Sequence, residues 1–173
     1  MNSGRAKGAA LGVRTLAVAG VLGAISIVLG MTPLGFIPVP TAAGHATTMH
    51  IPAVLGGVLE GPVAGALTGL IFGLHSFMRA GSPIFADPVV AILPRVFIGV
   101  VAYYAYRLTG SVALAAAFGT ITNTAGVLGI AVMRGYLPAP AAWTVAVTHG
   151  IPEIVVAVLI TALVYRSLKR ARR

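Results

Sequence analysis

Apolar residues run along this chain in long blocks, separated by short polar punctuation. Four blocks, 11–31, 88–107, 110–133 and 141–165, each supply the roughly 20 apolar residues that an α-helix needs to cross about 30 Å of hydrocarbon. Between the first two lies "TTMHIPAVLGGVLEGPVAGALTGLIFGLHSFMRA", residues 47–80, whose apolar pattern breaks at Glu60-Gly61-Pro62. Its halves, about 48–59 and 62–78, are short for a full crossing at about 1.5 Å per residue. They form two short helices or a re-entrant hairpin, and either returns the chain to the side it came from. The pattern predicts an all-α integral membrane protein with six helices, about 11–31, 48–59, 62–78, 88–107, 110–133 and 141–168, the second and third short.

Composition supports the same reading. Of 173 residues, 58% are hydrophobic and only 9% charged, with a mean hydropathy of +0.98, whereas a soluble domain carries about a quarter charged residues. The 22 glycines and 11 prolines form no long tract and mark no linker, so residues 1–173 read as a single transmembrane domain. The absence of cysteine excludes disulfides, thiolate chemistry and Cys-based metal sites.

Charge distribution sets an orientation. The net charge of +9 could suggest nucleic acid, but that footprint requires basic residues clustered on a folded surface among base-reading groups. Here Arg5, Lys7 and Arg14 precede the first block, Arg107 sits between the fourth and fifth helices, and Arg166, Lys169, Arg170, Arg172 and Arg173 follow the last. Only Arg79 and Arg134 fall on the opposite side, and Arg95 lies within a helix. Basic residues concentrate on the cytoplasmic side of membrane proteins, so both termini are expected inside. Reading 1–31 as a cleaved signal peptide would leave an uneven number of crossings and a basic C-terminus outside.

On this map the polar residues converge. Thr48 and His50 begin the second helix, and His75, Ser76 and Arg79 end the third, all on the outer side. Arg95 falls about 10 Å below the outer end of its helix. His149 and Glu153, four apart on one face of the last helix, fall at comparable or somewhat greater depth, and Asn123, with Thr120, Thr122 and Thr124 around it, lies near the middle of the fifth. Ionised groups inside a bilayer are costly and face a partner or a cavity. Arg95 and Glu153 therefore either neutralise each other or, with the histidines, line a cavity that opens outward to a polar solute. No two histidines have an i, i+4 spacing suited to a metal. With Glu60, Asp87 and Glu153 as its only acids, and no nucleophile elbow, HExxH or phosphate-binding Gly loop, the chain offers no enzyme chemistry, no cofactor site and no means of using ATP itself.

The order of a Gly-rich first helix, the outer loop "TPLGFIPVPTAAGHATTMHIP", then "LEGPVAGALTGLIFGLHSF", "SPIFADPVVAILPRVFIGVVAY" and "HGIPEIVVAVLITALV" resembles the S-components of energy-coupling factor (ECF) vitamin transporters, in their pantothenate/cobalamin-type branch. The most specific parts are GP-x-x-G-A-L-x-G-L-x-F-G-L and L-P-R with Gly99 four residues beyond Arg95. The resemblance implies six membrane helices, a vitamin site near the outer face, and partners in a transmembrane T-component and two ATP-binding-cassette ATPases. It places the docking motif at Gly20 and Ala24, a small-xxx-small pair that lets another helix approach closely. The same spacing also suits packing within the chain.

The ligand set expected is Thr48, His50, His75, Ser76, Arg79, Arg95, Asn123, His149 and Glu153. His75, Asp87 and His149 depart from residues usual in relatives, so the resemblance implies a water-soluble vitamin, pantothenate first and cobalamin next. Two other classes stand beside it. One is a stand-alone proton-coupled transporter or channel, which internal repeats would favour. The other is a structural assembly protein without a solute-sized cavity.

Overall fold

A computed structural model describes residues 12–38, 45–79 and 82–171; Arg5, Lys7, Arg172 and Arg173 lie outside the described residues. Six helices account for most of them: α1 Val13–Met31, α2 Ile51–Glu60, α3 Pro62–Arg79, α4 Pro88–Thr109, α5 Val112–Met133 and α6 Ala139–Ala171. Four of these, α1, α4, α5 and α6, are long and apolar enough to cross a membrane. The last is 33 residues long and extends beyond the 141–168 expected from the sequence.

The break at Glu60-Gly61-Pro62 has a local cause. Gly61 adopts φ 105°, a conformation costly for a residue with a Cβ, and Pro62 opens α3, where its missing N–H is no loss. Glu60 meets Arg14 Nη2 at 2.6 Å, tying the start of α1 to the α2–α3 turn. Elsewhere, Asp87 caps α4 by accepting from the Val89 N–H, and Ser111 caps α5 by accepting from the Leu114 N–H.

Although short, α2 is central. Every residue from Ile51 to Val58 is buried, as expected of a helix that is apolar on all sides. It packs against α1, α3, α4, α5 and α6. Ala53, Val54 and Val58 join Phe72, Ile98, Ala102, Ala115 and Ala116 in the main core. The α1 helix lies at the edge, packing on α2 and α3 and leaving its other face open.

The glycine spacing of α3 serves close helix packing. A Cβ on Gly65 would lie 2.7 Å from Gly99 Cα, one on Gly69 2.8 Å from the Arg95 carbonyl carbon, and one on Gly73 2.9 Å from Ile92 Cα. Residues four apart share a helix face, so α4 beds into a groove of bare backbone along α3. Small residues give this contact in membranes, where lipid is as apolar as leucine. The groove fixes the height and rotation of Arg95.

The segment between α1 and α2, read from sequence as a loop, contains a 3₁₀ turn at Pro33–Gly35 and a two-stranded antiparallel ribbon, β1 Phe36–Pro38 with β2 His45–Thr47. Phe36 pairs with Thr47 and Ile37 with Ala46. The ribbon supplies its own backbone hydrogen bonds, which a chain covering a buried site needs, and β2 packs against α6.

Candidate binding site

A cavity of about 480 Å³ lies at the end of the bundle marked by the C-termini of α1 and α3 and the N-terminus of α4. It is lined by residues from α1, α3, α4, α5 and α6, and by the ribbon and the 3₁₀ turn Pro83–Ala86. His75, Ser76, Arg79, Arg95, Asn123, His149 and Glu153, widely separated in sequence, are brought together in its wall.

Arg95 is buried, at 4% exposure. Its Nη1 donates to the Val90 carbonyl at 2.6 Å, and its guanidinium lies over the rings of Phe85 and Phe72, 4.8 and 5.6 Å from their centroids. Such cation–π contacts stabilise a cation by about 0.5–2 kcal/mol. Among the described residues, Arg95 Nε has no hydrogen-bond partner. The cavity lining also carries Glu153, 1% exposed. Thr47 Oγ1 donates to its Oε1, and Thr124 Oγ1 donates to its Oε2 at 2.9 Å. The rings of His50 and His149 each bring a nitrogen to 3.8 Å from Oε1. Between Arg95 and Glu153, among the described residues, there is no ion pair within 4.0 Å, so direct mutual neutralisation is not the arrangement found.

The remaining candidates take distinct places. Arg79 Nη1 donates to the Gly30 carbonyl and ties the end of α3 to α1. A Cβ on Gly30 would come within 2.8 Å of His75 Cε1 and of Met49 Sδ, so that glycine gives both side chains room. Asn123 is 8% exposed and its Oδ1 has no partner. Thr48 and His50 are buried outside the cavity lining. Thr48 Oγ1 donates to the Leu34 carbonyl at 3.0 Å, and His50 Nε2 meets Thr120 Oγ1 at 2.9 Å. His50 stands behind Glu153, and Thr122 bonds back to its own helix.

Sequence reasoning passed over Thr47, Phe36, Phe72 and Phe85, all of which line the cavity. Strand alternation was the available signal for Thr47: in "HATTMH" it faces the cavity, whereas Thr48 points into the turn. The aromatic residues carried no such signal, since phenylalanine in an apolar helix reads equally as lipid-facing.

On α1, Gly20 and Ala24 are both exposed, and a Cβ on Gly20 would meet no atom within 4 Å. Gly23 faces the other way, where a Cβ would lie 2.8 Å from Ile71 Cγ2. Packing within the chain thus uses Gly23 and leaves the Gly20–Ala24 pair unoccupied.

Comparison with known proteins agrees with this architecture. The solved structure of the S component of a bacterial ECF transporter superposes with a TM-score of 0.70 at 21% identity, covering 92% of this chain and 98% of that one. The pantothenic acid transporter PanT of Lactococcus lactis subsp. cremoris (strain MG1363) is 28% identical over 156 residues, covering 73% of this chain and 79% of the relative. The family profile described as "ECF transporter, substrate-specific component" matches residues 14–165. A transport component rather than an enzyme, this membrane protein belongs to the substrate-specific component family of ECF transporters.

Proposed function

We propose that the chain captures pantothenate from outside the cell and delivers it to the cytoplasm as the substrate-binding subunit of an ATP-driven importer. The observation that carries this reading is the cavity itself. Its volume of about 480 Å³ lies within the roughly 300–1,000 Å³ typical of small-ligand sites. Its buried Arg95 suits a carboxylate through charge-assisted hydrogen bonds, with Arg79 at the rim. Hydroxyl and amide groups suit His75, Asn123, His149 and the threonines. The likeness to a pantothenic acid transporter supports the same solute. Cobalamin, far larger than pantothenate, would need a much wider mouth.

Both termini then lie in the cytoplasm, in keeping with the basic residues gathered there, and the cavity opens outward. Without a nucleotide motif, the chain draws its energy from a T-component and two ATPases, docked through the open Gly20–Ala24 face. A second reading, stand-alone proton coupling, is favoured by one observation: Glu153 Oε1 has two imidazole nitrogens at 3.8 Å.

Mass spectrometry of the small molecule that co-purifies with the full-length protein, followed by calorimetric titration, tests the substrate. Pantothenate should be found bound and should rebind at one per chain. Recovery of a different vitamin, or failure of pantothenate to bind, would overturn the assignment.

A further inference from the structure

We propose that the cavity reads its solute at two poles, an anionic group at Arg95 and a neutral hydroxyl at Glu153 and Asn123. The proposal rests on the pantothenate reading and names the part of the solute each wall recognises.

The two poles are complementary in what they lack. At Arg95, donors outnumber acceptors: one N–H reaches the Val90 carbonyl, two ring faces cover the cation, and Nε has no acceptor. At the other pole, acceptors outnumber donors. Glu153 receives one hydroxyl proton at each oxygen, from Thr47 and Thr124, and each carboxylate oxygen can accept a further bond. Asn123 Oδ1, buried in the same wall, receives none. Buried polar groups are normally satisfied, and a buried charge without a counter-charge is expensive. Arg95 and Glu153 line one solute-sized cavity and, among the described residues, form no ion pair with each other within 4.0 Å. A molecule with a carboxylate at one end and donors at the other completes both sets at once.

Binding of three compounds to purified full-length protein tests this: pantothenate, its alcohol analogue pantothenol, and N-(3,3-dimethylbutanoyl)-β-alanine, which keeps the carboxylate and lacks both hydroxyls. Glu153→Gln should weaken pantothenate by roughly 10- to 100-fold, the range for a hydrogen bond to a charged group, and leave the dideoxy analogue nearly unchanged. Arg95→Gln should do the reverse, weakening the dideoxy analogue and leaving pantothenol nearly unchanged. Asn123→Ala, which breaks no internal bond at Oδ1, should show the Glu153→Gln pattern more mildly and keeps the test valid if the glutamate variant does not fold. Equal losses for pantothenate and the dideoxy analogue in both Glu153→Gln and Asn123→Ala, or no loss in Asn123→Ala, would overturn the proposal while leaving pantothenate as substrate. Absence of pantothenate binding by the wild type would instead overturn the substrate reading, and the two-pole proposal with it.

Discussion

Arg95 donates to the carbonyl of Val90, the acceptor that Pro94 leaves free within α4 because it has no N–H to offer the residue four positions earlier. The proline creates a vacancy in the helix, and the next side chain fills it. One end of the guanidinium is thereby anchored to its own helix. Pro94→Ala restores a competing N–H, so pantothenate affinity should fall by about three- to tenfold, the value of one ordinary hydrogen bond, while the melting temperature holds or rises. Calorimetric titration beside a thermal melt checks both; unchanged affinity would show that the proline does not prepare the arginine.

The α3–α4 contact predicts a sharp contrast between two glycines. Gly69→Ala would place its Cβ 2.8 Å from the Arg95 carbonyl carbon, a backbone atom that no rotamer change can move. Overpacking of this kind costs about 1–3 kcal/mol or more, so the melting temperature and solute affinity should drop together. Gly20→Ala, facing open space, should leave both unchanged in the same assays.

The open face of α1 predicts a separation of binding from transport. Gly20→Leu combined with Ala24→Leu adds bulk where, among the described residues, no atom lies within 4 Å of a Cβ on Gly20. Solute binding by the isolated protein should persist, while ATP-dependent uptake by the assembled transporter should be lost. Wild-type uptake by the double variant would remove this pair from the docking surface.

Energy coupling is tested by reconstitution. In vesicles without partner subunits, the protein should bind solute but not concentrate it under any imposed proton or sodium gradient, because in the proposed importer the work comes from partner ATPases. Gradient-driven accumulation would support the stand-alone reading instead.

At the mouth-side end of α4, the Asp87 carboxyl meets the Val89 N–H, the Tyr136 hydroxyl and Arg134 Nε, the last two at 3.1 and 3.4 Å from Oδ2. Partial burial pushes this carboxyl up, but the three donors outweigh it and hold it below the ordinary aspartate range. A depressed carboxylate contributes stability above its unfolded value, about 3.9, and loses it as pH falls through the folded value. Melting temperatures recorded as pH is lowered through and below about 4 should therefore decline less steeply in Asp87→Asn than in wild type, and the variant should be less stable at neutral pH.

The sequence by itself determined the helices and the end of the bundle at which the polar groups gather. A bilayer leaves long apolar blocks little choice but to be helical, and counting turns inside α-helices places His75 near the outer end of its helix and Arg95, His149 and Glu153 progressively deeper. It also located the break at Gly61-Pro62, because those two residues have local backbone rules that hold in any fold. Tertiary structure decided what sequence periodicity cannot express. In a membrane the outward face of a helix is as apolar as its core, so the pattern does not reveal which side of each helix faces inward. For that reason Gly23 and Gly20 looked alike until α3 was seen to occupy only one of them, and Phe85 and Phe72 could not be assigned to Arg95. The ribbon of β1 and β2 escaped notice because each strand is only three residues long, so the alternation that would have marked Thr47 was too brief to stand out. That Arg95 and Glu153, among the described residues, line one cavity without a direct ion pair emerged only from the packing of α4, α5 and α6.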